Sequence, residues 1–232
     1  MRAAVMLLPG LIHRVGNVSV DTKVGGCELG LREIDPHLEV LQALGVEVDY
    51  SDGTIKVGAS KGFEAGSHWA DYMSVTTTEN FIMAAAVANG TSVLMNAASE
   101  PHVQDLCQFL TSIGAKISGI GSSRLEIEGV STLGGGEHRI ISDHHEIATF
   151  LALGAMTGGR IEVEDSIPEH LGLITRAFEK FGVEIKHTEN LSIVEENQEL
   201  EIQEPFTKNL VPRLEIHPWP YFSTDIAPVM MA

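Results

Sequence analysis

A lone thiol set among glycines is the first place where this sequence could do chemistry. Cys27 stands in Val24-Gly25-Gly26-Cys27-Glu28-Leu29-Gly30-Leu31-Arg32. Glycines on either side let the backbone approach a ligand closely. Arg32 favours the thiolate and presents a planar fork to a carboxylate or phosphate. Residue types alone leave a reactive cysteine and an ordinary turn thiol both open. Asp225, in Phe222-Ser223-Thr224-Asp225, reads either as a base or as a helix N-cap, because apolar residues follow it. His37 reads as a surface residue in the first turn of a helix. His144 and His145, between Asp143 and Glu146, are metal-ligand types, but neighbours on a helix point apart, so no metal site is expected. Cys107 shares the apolar spacing of a helix and reads as core.

The elements that must position these residues come from an internal repeat. Three segments carry a Pro, an amphipathic run, a Gly and an alternating strand: Pro36 through Val48, Pro101 through Ile117 and Pro168 through Ile185. Their glycines, Gly45, Gly114 and Gly182, lie 69 and 68 positions apart. Pro suits a first helical turn and Gly the position just past the last. A second pattern is interleaved with the first. Thr78 to Asn89 reads as a helix closed by Gly90 before a strand at Thr91–Met95. Ile147 to Thr157 repeats this with Gly158, and Met1 to Val15 with Gly16 is an earlier copy. Helices alternating with short strands at this period predict a repeated α/β fold. The chain opens inside one such helix and stops as the next should start, so a portion of a longer protein is expected.

Composition narrows the function. The 232 residues are 44% hydrophobic and 20% charged, which suits ordinary globular domains. With 32 acids against 15 bases the net charge is −17, which argues against a nucleic-acid or anionic-membrane partner. No apolar stretch reaches the ~18 residues of a membrane span. Two cysteines in unlike settings suggest a reducing cytoplasm rather than a disulfide scaffold.

Gly25 through Leu38 resembles the catalytic loop of the UDP-N-acetylglucosamine enolpyruvyl transferases (1-carboxyvinyltransferases). Asn96-Ala97-Ala98-Ser99-Glu100-Pro101, Ile127-Glu128-Gly129-Val130 and Pro218 to Asp225 follow in family order. The resemblance implies two similar domains of repeated α/β units, an inside-out α/β barrel architecture, with the active site between them. Residues 1–134 would be the loop-bearing catalytic domain and 135–232 the first part of the second. The implied activity is transfer of an enolpyruvyl group from phosphoenolpyruvate to the 3-hydroxyl of UDP-N-acetylglucosamine, in cytoplasmic peptidoglycan synthesis. Those two small molecules are the implied partners, with no metal or other cofactor.

The same resemblance assigns residues. Cys27 matches the cysteine that contacts or adds to phosphoenolpyruvate and acts as general acid, and Arg32 the arginine gripping that anion. Asp225 matches the aspartate at the attacking hydroxyl, with Thr224 beside it. Asp35 and His37 match positions beside the uridine, Ser74 and Val75 the diphosphate-contacting turn, and Arg2 an arginine lining the cleft. Glu33, Tyr72, Thr76, His144 and Ser223 depart from the usual Pro, Lys, Gly, Arg and Pro. Those departures keep two alternatives open: a non-catalytic binding or scaffold protein, and a transferase acting on another acceptor such as shikimate 3-phosphate. The charge of phosphoenolpyruvate calls for several preorganised cations, and of the family's set only Arg32 is expected in this chain. The 232-residue chain alone should therefore release no detectable phosphate from phosphoenolpyruvate and UDP-N-acetylglucosamine. Turnover on the order of 1 s⁻¹ would overturn that expectation.

Overall fold

The structure, a computed structural model, describes residues 2–21, 33–51, 53–207 and 213–231. Cys27 and Arg32 lie outside the described residues. The chain divides into two compact units, Met1–Arg139 and Ile140–Ala232.

In the first unit a 3-10 turn, Arg2–Leu7, leads into helix α1, Leu8–Val15. The sequence pattern predicts one continuous helix here. Pro9 explains the change: it lacks an N–H and its ring would clash with the carbonyl four residues back, so the α-helix begins around it. Strand β1 (Asn17–Asp21), helix α2 (Asp35–Gln42) and strands β2 (Glu47–Ser51) and β3 (Thr54–Gly58) follow. The three strands form a sheet of order β1-β3-β2 with antiparallel pairs. After the short strand β4 (Ser67–Trp69) the series recurs as helix α3 (Val75–Ala85), β5 (Thr91–Met95), helix α4 (Pro101–Ser112), β6 (Lys116–Ser118) and β7 (Arg124–Glu128). This sheet runs β4-β5-β7-β6. Its added β4 pairs parallel with β5, which makes the sheet mixed.

The second unit repeats the pattern once more. Helix α5 (His144–Thr157) precedes β8 (Ile161–Glu164), a 3-10 turn at Pro168–His170 with helix α6 (Gly172–Glu179), then β9 (Ile185–His187) and β10 (Leu191–Val194). The sheet order is β8-β10-β9, again antiparallel. A short helix α7, Ala227–Met231, follows. Three copies of one αβαββ series, each with the third strand between the other two, bear out the α/β repeat.

The repeat's glycines act as the sequence suggests. Gly45, Gly114 and Gly182 have φ of +83°, +112° and +80°, and Gly16, Gly90 and Gly158 are also left-handed. Such backbone lets each helix end and the chain turn at once into a strand. Helices α3 and α5 start three residues earlier than their apolar periodicity, because side chains cap them. Ser74 Oγ accepts from the Thr77 amide at 3.4 Å and Asp143 Oδ1 from the His145 amide at 2.8 Å.

Each unit has its own core. In the first, Leu41, Leu44, Phe81, Ile82, Leu94 and Ile127 are fully buried around α3. In the second, Leu151, Leu171, Phe178, Phe222 and Ile226 are. Each such side chain contributes roughly 1.5–3 kcal/mol by leaving water. Gly114→Ala places its Cβ in open space, so only left-handed strain is added, about 1–2 kcal/mol. Gly182→Ala also meets the backbone of Glu199 and Glu201 at 2.9 Å. Urea unfolding should show the larger loss for Gly182→Ala; equal losses would contradict the steric account.

Candidate functional site

The site is built where α2 and α3 begin. The α2 helix starts Asp35-Pro36-His37, and its third residue turns inward: His37 is 3% exposed. This corrects the reading of His37 as a surface residue. Helical spacing puts His37 on the face that packs on α3, along with Val40 and Leu41. On α3 the facing residues are Thr76 and Asn80. Asn80 Nδ2 lies 2.9 Å from His37 Nδ1, and Thr76 Oγ1 lies 3.4 Å from His37 Nε2. Asn80 also donates to the Val5 carbonyl at 3.2 Å, tying the first 3-10 turn to the same point.

Packing of α2 on α3 therefore sets His37 beside the turn that begins at Ser74 and Val75, with Asp35 exposed at the start of α2. Ser74 is the α3 N-cap and Val75 the first helical residue. The first-turn amides of α3, with the positive end of its dipole, suit an anion. Arg2 opens the 3-10 turn, and its side chain is not among the described atoms. Tyr72, at the position of the usual cation, is half exposed.

Thr224 and Asp225 lie in the second unit, both exposed just ahead of α7. Thr224 Oγ1 donates to Asp225 Oδ1 at 3.4 Å, and the Asp225 amide donates to Ser223 Oγ at 3.2 Å. The turn oxygen bonded to the backbone here is that of Ser223. Near the α5 N-terminus, Trp219 meets His144 edge-on at 5.6 Å and His170 at 6.2 Å. The His144 and His145 rings lie 4.1 Å apart, tilted by 40°, instead of pointing apart. With Asp143 their ligand atoms lie within 4.8 Å of one another. Asp143 is occupied in capping α5, and His144 is buried against Trp219, so capping and packing account for the cluster.

Behind the α2–α3 site lies a feature that sequence reasoning missed. Glu79 on α3 faces Glu100, the residue preceding α4, and burial followed by the charge of Glu100 raises the Glu79 carboxyl to about 7. Glu100 Oε2 is buried without a hydrogen-bond partner. The fully buried Cys107 is pushed up to about 12, by burial first and by Glu79 second. The clue was a Glu on the apolar helix α3 and a second just ahead of the apolar face of α4, at positions distant in sequence.

Comparison with known proteins now bears on this arrangement. The family model described as EPSP synthase (3-phosphoshikimate 1-carboxyvinyltransferase) matches residues 1–232. The chain belongs to the EPSP synthase family. Within this family it is 38% identical over 231 residues to a UDP-N-acetylglucosamine 1-carboxyvinyltransferase of Borrelia garinii subsp. bavariensis, covering all of this chain and 53% of that protein. A relative of the same name from Symbiobacterium thermophilum is 38% identical over 232 residues, with 50% of its length covered. The chain thus spans about half the length of the curated relatives it matches. Among solved structures, the enolpyruvyl transferase NikO from Streptomyces tendae aligns with a TM-score of 0.70 at 19% identity, covering 88% of this chain and 48% of that one. EPSP synthase from Acinetobacter baumannii aligns at 0.61 and 16% identity, covering 83% and 44%. These two share the EPSP synthase family's α/β fold.

Two outcomes are expected. Iodoacetamide at pH 8 should leave Cys107 unlabelled in the folded protein while Cys27 reacts, and both should react in denaturant; equal native labelling would contradict this. Glu79 binds its proton more tightly folded than unfolded. Its contribution is therefore fully present below about 4.5 and lost as pH rises through about 7. Glu79→Gln should flatten that slope and gain on the order of 1 kcal/mol over wild type at pH 8, after solvent screening of a part-exposed group. A variant with an unchanged slope in urea melts would sink the assignment.

Proposed function

We propose that this chain is part of an enolpyruvyl transferase acting on phosphoenolpyruvate and UDP-N-acetylglucosamine, in the cytoplasmic construction of peptidoglycan. The observation that carries the reading is the 38% identity, unbroken along this chain, to relatives bearing the UDP-N-acetylglucosamine 1-carboxyvinyltransferase name. The likeness to solved enolpyruvyl transferases is 19% and lower and speaks to the fold.

On this reading residues 1–134 are the loop-bearing catalytic domain and 135–232 the first part of the second. The α2–α3 site takes the nucleotide: Asp35 and His37 flank the uridine, and the Ser74–Val75 turn at the α3 N-terminus holds the diphosphate. Arg2 lines the cleft and Arg32 grips phosphoenolpyruvate. The 3-hydroxyl adds to the C2 carbon of phosphoenolpyruvate, passing its proton to Asp225, while Cys27 supplies a proton to the C3 methylene. The adduct then loses phosphate and a C3 proton, which restores the double bond on the new ether. Thr224 keeps Asp225 oriented through their hydrogen bond.

A second reading, a binding protein without turnover, is favoured by Tyr72 and Thr76 in the diphosphate turn. Tyr72 removes a cation there and Thr76 adds a side chain. A third, transfer to shikimate 3-phosphate, is disfavoured by Cys27, since the resemblance assigns a loop cysteine to the other branch.

Titration calorimetry separates the first reading from the third. The proposal expects saturable heat with UDP-N-acetylglucosamine, none with shikimate 3-phosphate, and roughly tenfold weaker binding for Asp35→Asn, about 1.4 kcal/mol. Binding of shikimate 3-phosphate alone would overturn it.

A further inference from the structure

The hydrogen bonds around His37 determine its protonation, and with it the chemistry the ring can offer. Asn80 Nδ2 approaches two groups, the Val5 carbonyl at 3.2 Å and His37 Nδ1 at 2.9 Å. A carbonyl oxygen can only accept, so the atom facing Val5 is the amide nitrogen and the Asn80 amide orientation is settled. That nitrogen has two hydrogens and no lone pair to receive one. Its second hydrogen points at His37 Nδ1, which must accept and therefore carries no proton. The ring is then the neutral tautomer with its hydrogen on Nε2, directed at Thr76 Oγ1 3.4 Å away. Asn80 is fully buried and His37 nearly so, so water is not at hand to replace either partner.

We propose that Asn80 is a positioning residue that locks His37 as an uncharged Nε2–H donor, with Thr76 in the path of that hydrogen. Thr76 stands at the beginning of α3, where the sequence departs from the family's usual glycine, and Asn80 stands one turn further on. The proposal deepens the reading under which His37 flanks the uridine. An uncharged ring adds no attraction for phosphate, which an imidazolium would, and its one hydrogen goes to Thr76 rather than to a ligand. The Thr76 hydroxyl, receiving the His37 hydrogen, keeps its own for a ligand at the helix terminus. Among the described side chains, titratable groups on α2 and the elements packed on it are Asp35 and Glu39 on α2, Glu79 on α3, and Glu47, Asp49 and Tyr50 on β2. Asp35 and Glu39 are exposed, and the Asn80 amide keeps a proton off the buried Nδ1 by occupying it.

Long-range proton–nitrogen NMR of the ligand-free chain tests this without any assumption about activity. Wild-type His37 is expected to show the Nε2–H pattern unchanged from pH 8 to about 5, below the ordinary histidine value of about 6.5. Asn80→Asp replaces the donor by an acceptor and should move the hydrogen to Nδ1, with the ring titrating at least one pH unit higher. Asn80→Ala should let the ring titrate in its ordinary range. A wild-type ring carrying hydrogen on Nδ1, or charged at pH 6, overturns the proposal, and that measurement stands even where a variant fails to fold. Calorimetry adds a second arm: wild-type affinity for UDP-N-acetylglucosamine should change less than about twofold between pH 8 and 5.5, while Asn80→Ala loses that constancy. A chain that shows the Nε2–H ring but binds no UDP-N-acetylglucosamine keeps the proposal and refutes the functional reading.

Discussion

The first unit depends on the burial of one helix, α3. Its Phe81, Ile82, Ala84 and Ala85 are fully enclosed, and α1, α2 and α4 all pack on it. Small residues on its far half let neighbouring backbones come close, while its first two turns carry Thr76, Thr77, Thr78, Asn80 and Glu79. A helix so enclosed cannot leave polar groups to water, so several find partners inside or stay uncharged, while Thr77 Oγ1 and Asn80 Oδ1 are buried without a hydrogen bond. Thr78 Oγ1 accepts the Ala98 amide at 2.9 Å, Asn80 ties Val5 to His37, and Glu79 is raised towards its uncharged form. The chemistry gathered at the start of α3 is thus a by-product of how deeply the rest of it is sunk.

The same constraint explains how an acidic chain builds this unit. Most of its described acids stay on the surface, where pairs such as Lys116–Glu128 and Arg124–Glu126 are exposed and contribute little. Glu79 and Glu100 are the described carboxylates that meet between α3 and α4 with Cys107 beside them. Two charges could not persist there together, so one proton is retained and the sulfhydryl keeps its own.

Much of this was legible in the residues. The period between Gly45, Gly114 and Gly182 marked three helix ends, and all three carry left-handed backbone. Thr91–Met95 is β5 to the residue. Helix starts were less legible, because caps at Ser74 and Asp143 recruit a turn whose residues carry no apolar signal. The Pro9 break was visible in principle but hidden by the apolar run around it. The site was legible only in part. Sequence reasoning marked Asp35, His37, Ser74 and Val75 but missed that His37 points inward, a direction that Val40 and Leu41, three and four positions on, already carried. Asn80 stands 43 positions from His37 and Glu79 stands 21 from Glu100; no local pattern carries a pairing formed only when two helices pack.

Each repeat completes its ladders with its third strand between the first two, so the three-stranded core of every sheet closes within about seventy residues. Neighbouring repeats need not lend a strand to one another, β4 being an attachment to the sheet that follows it rather than a bridge from the one before. Tandem duplication of such a stretch of gene would insert a finished module instead of half a sheet. Copies can then diverge by separate routes, one keeping a longer glycine-rich sequence between its first strand and second helix and others a shorter one. Lineages of this architecture are thereby free to vary reactive segments module by module without renegotiating the pairing of the whole.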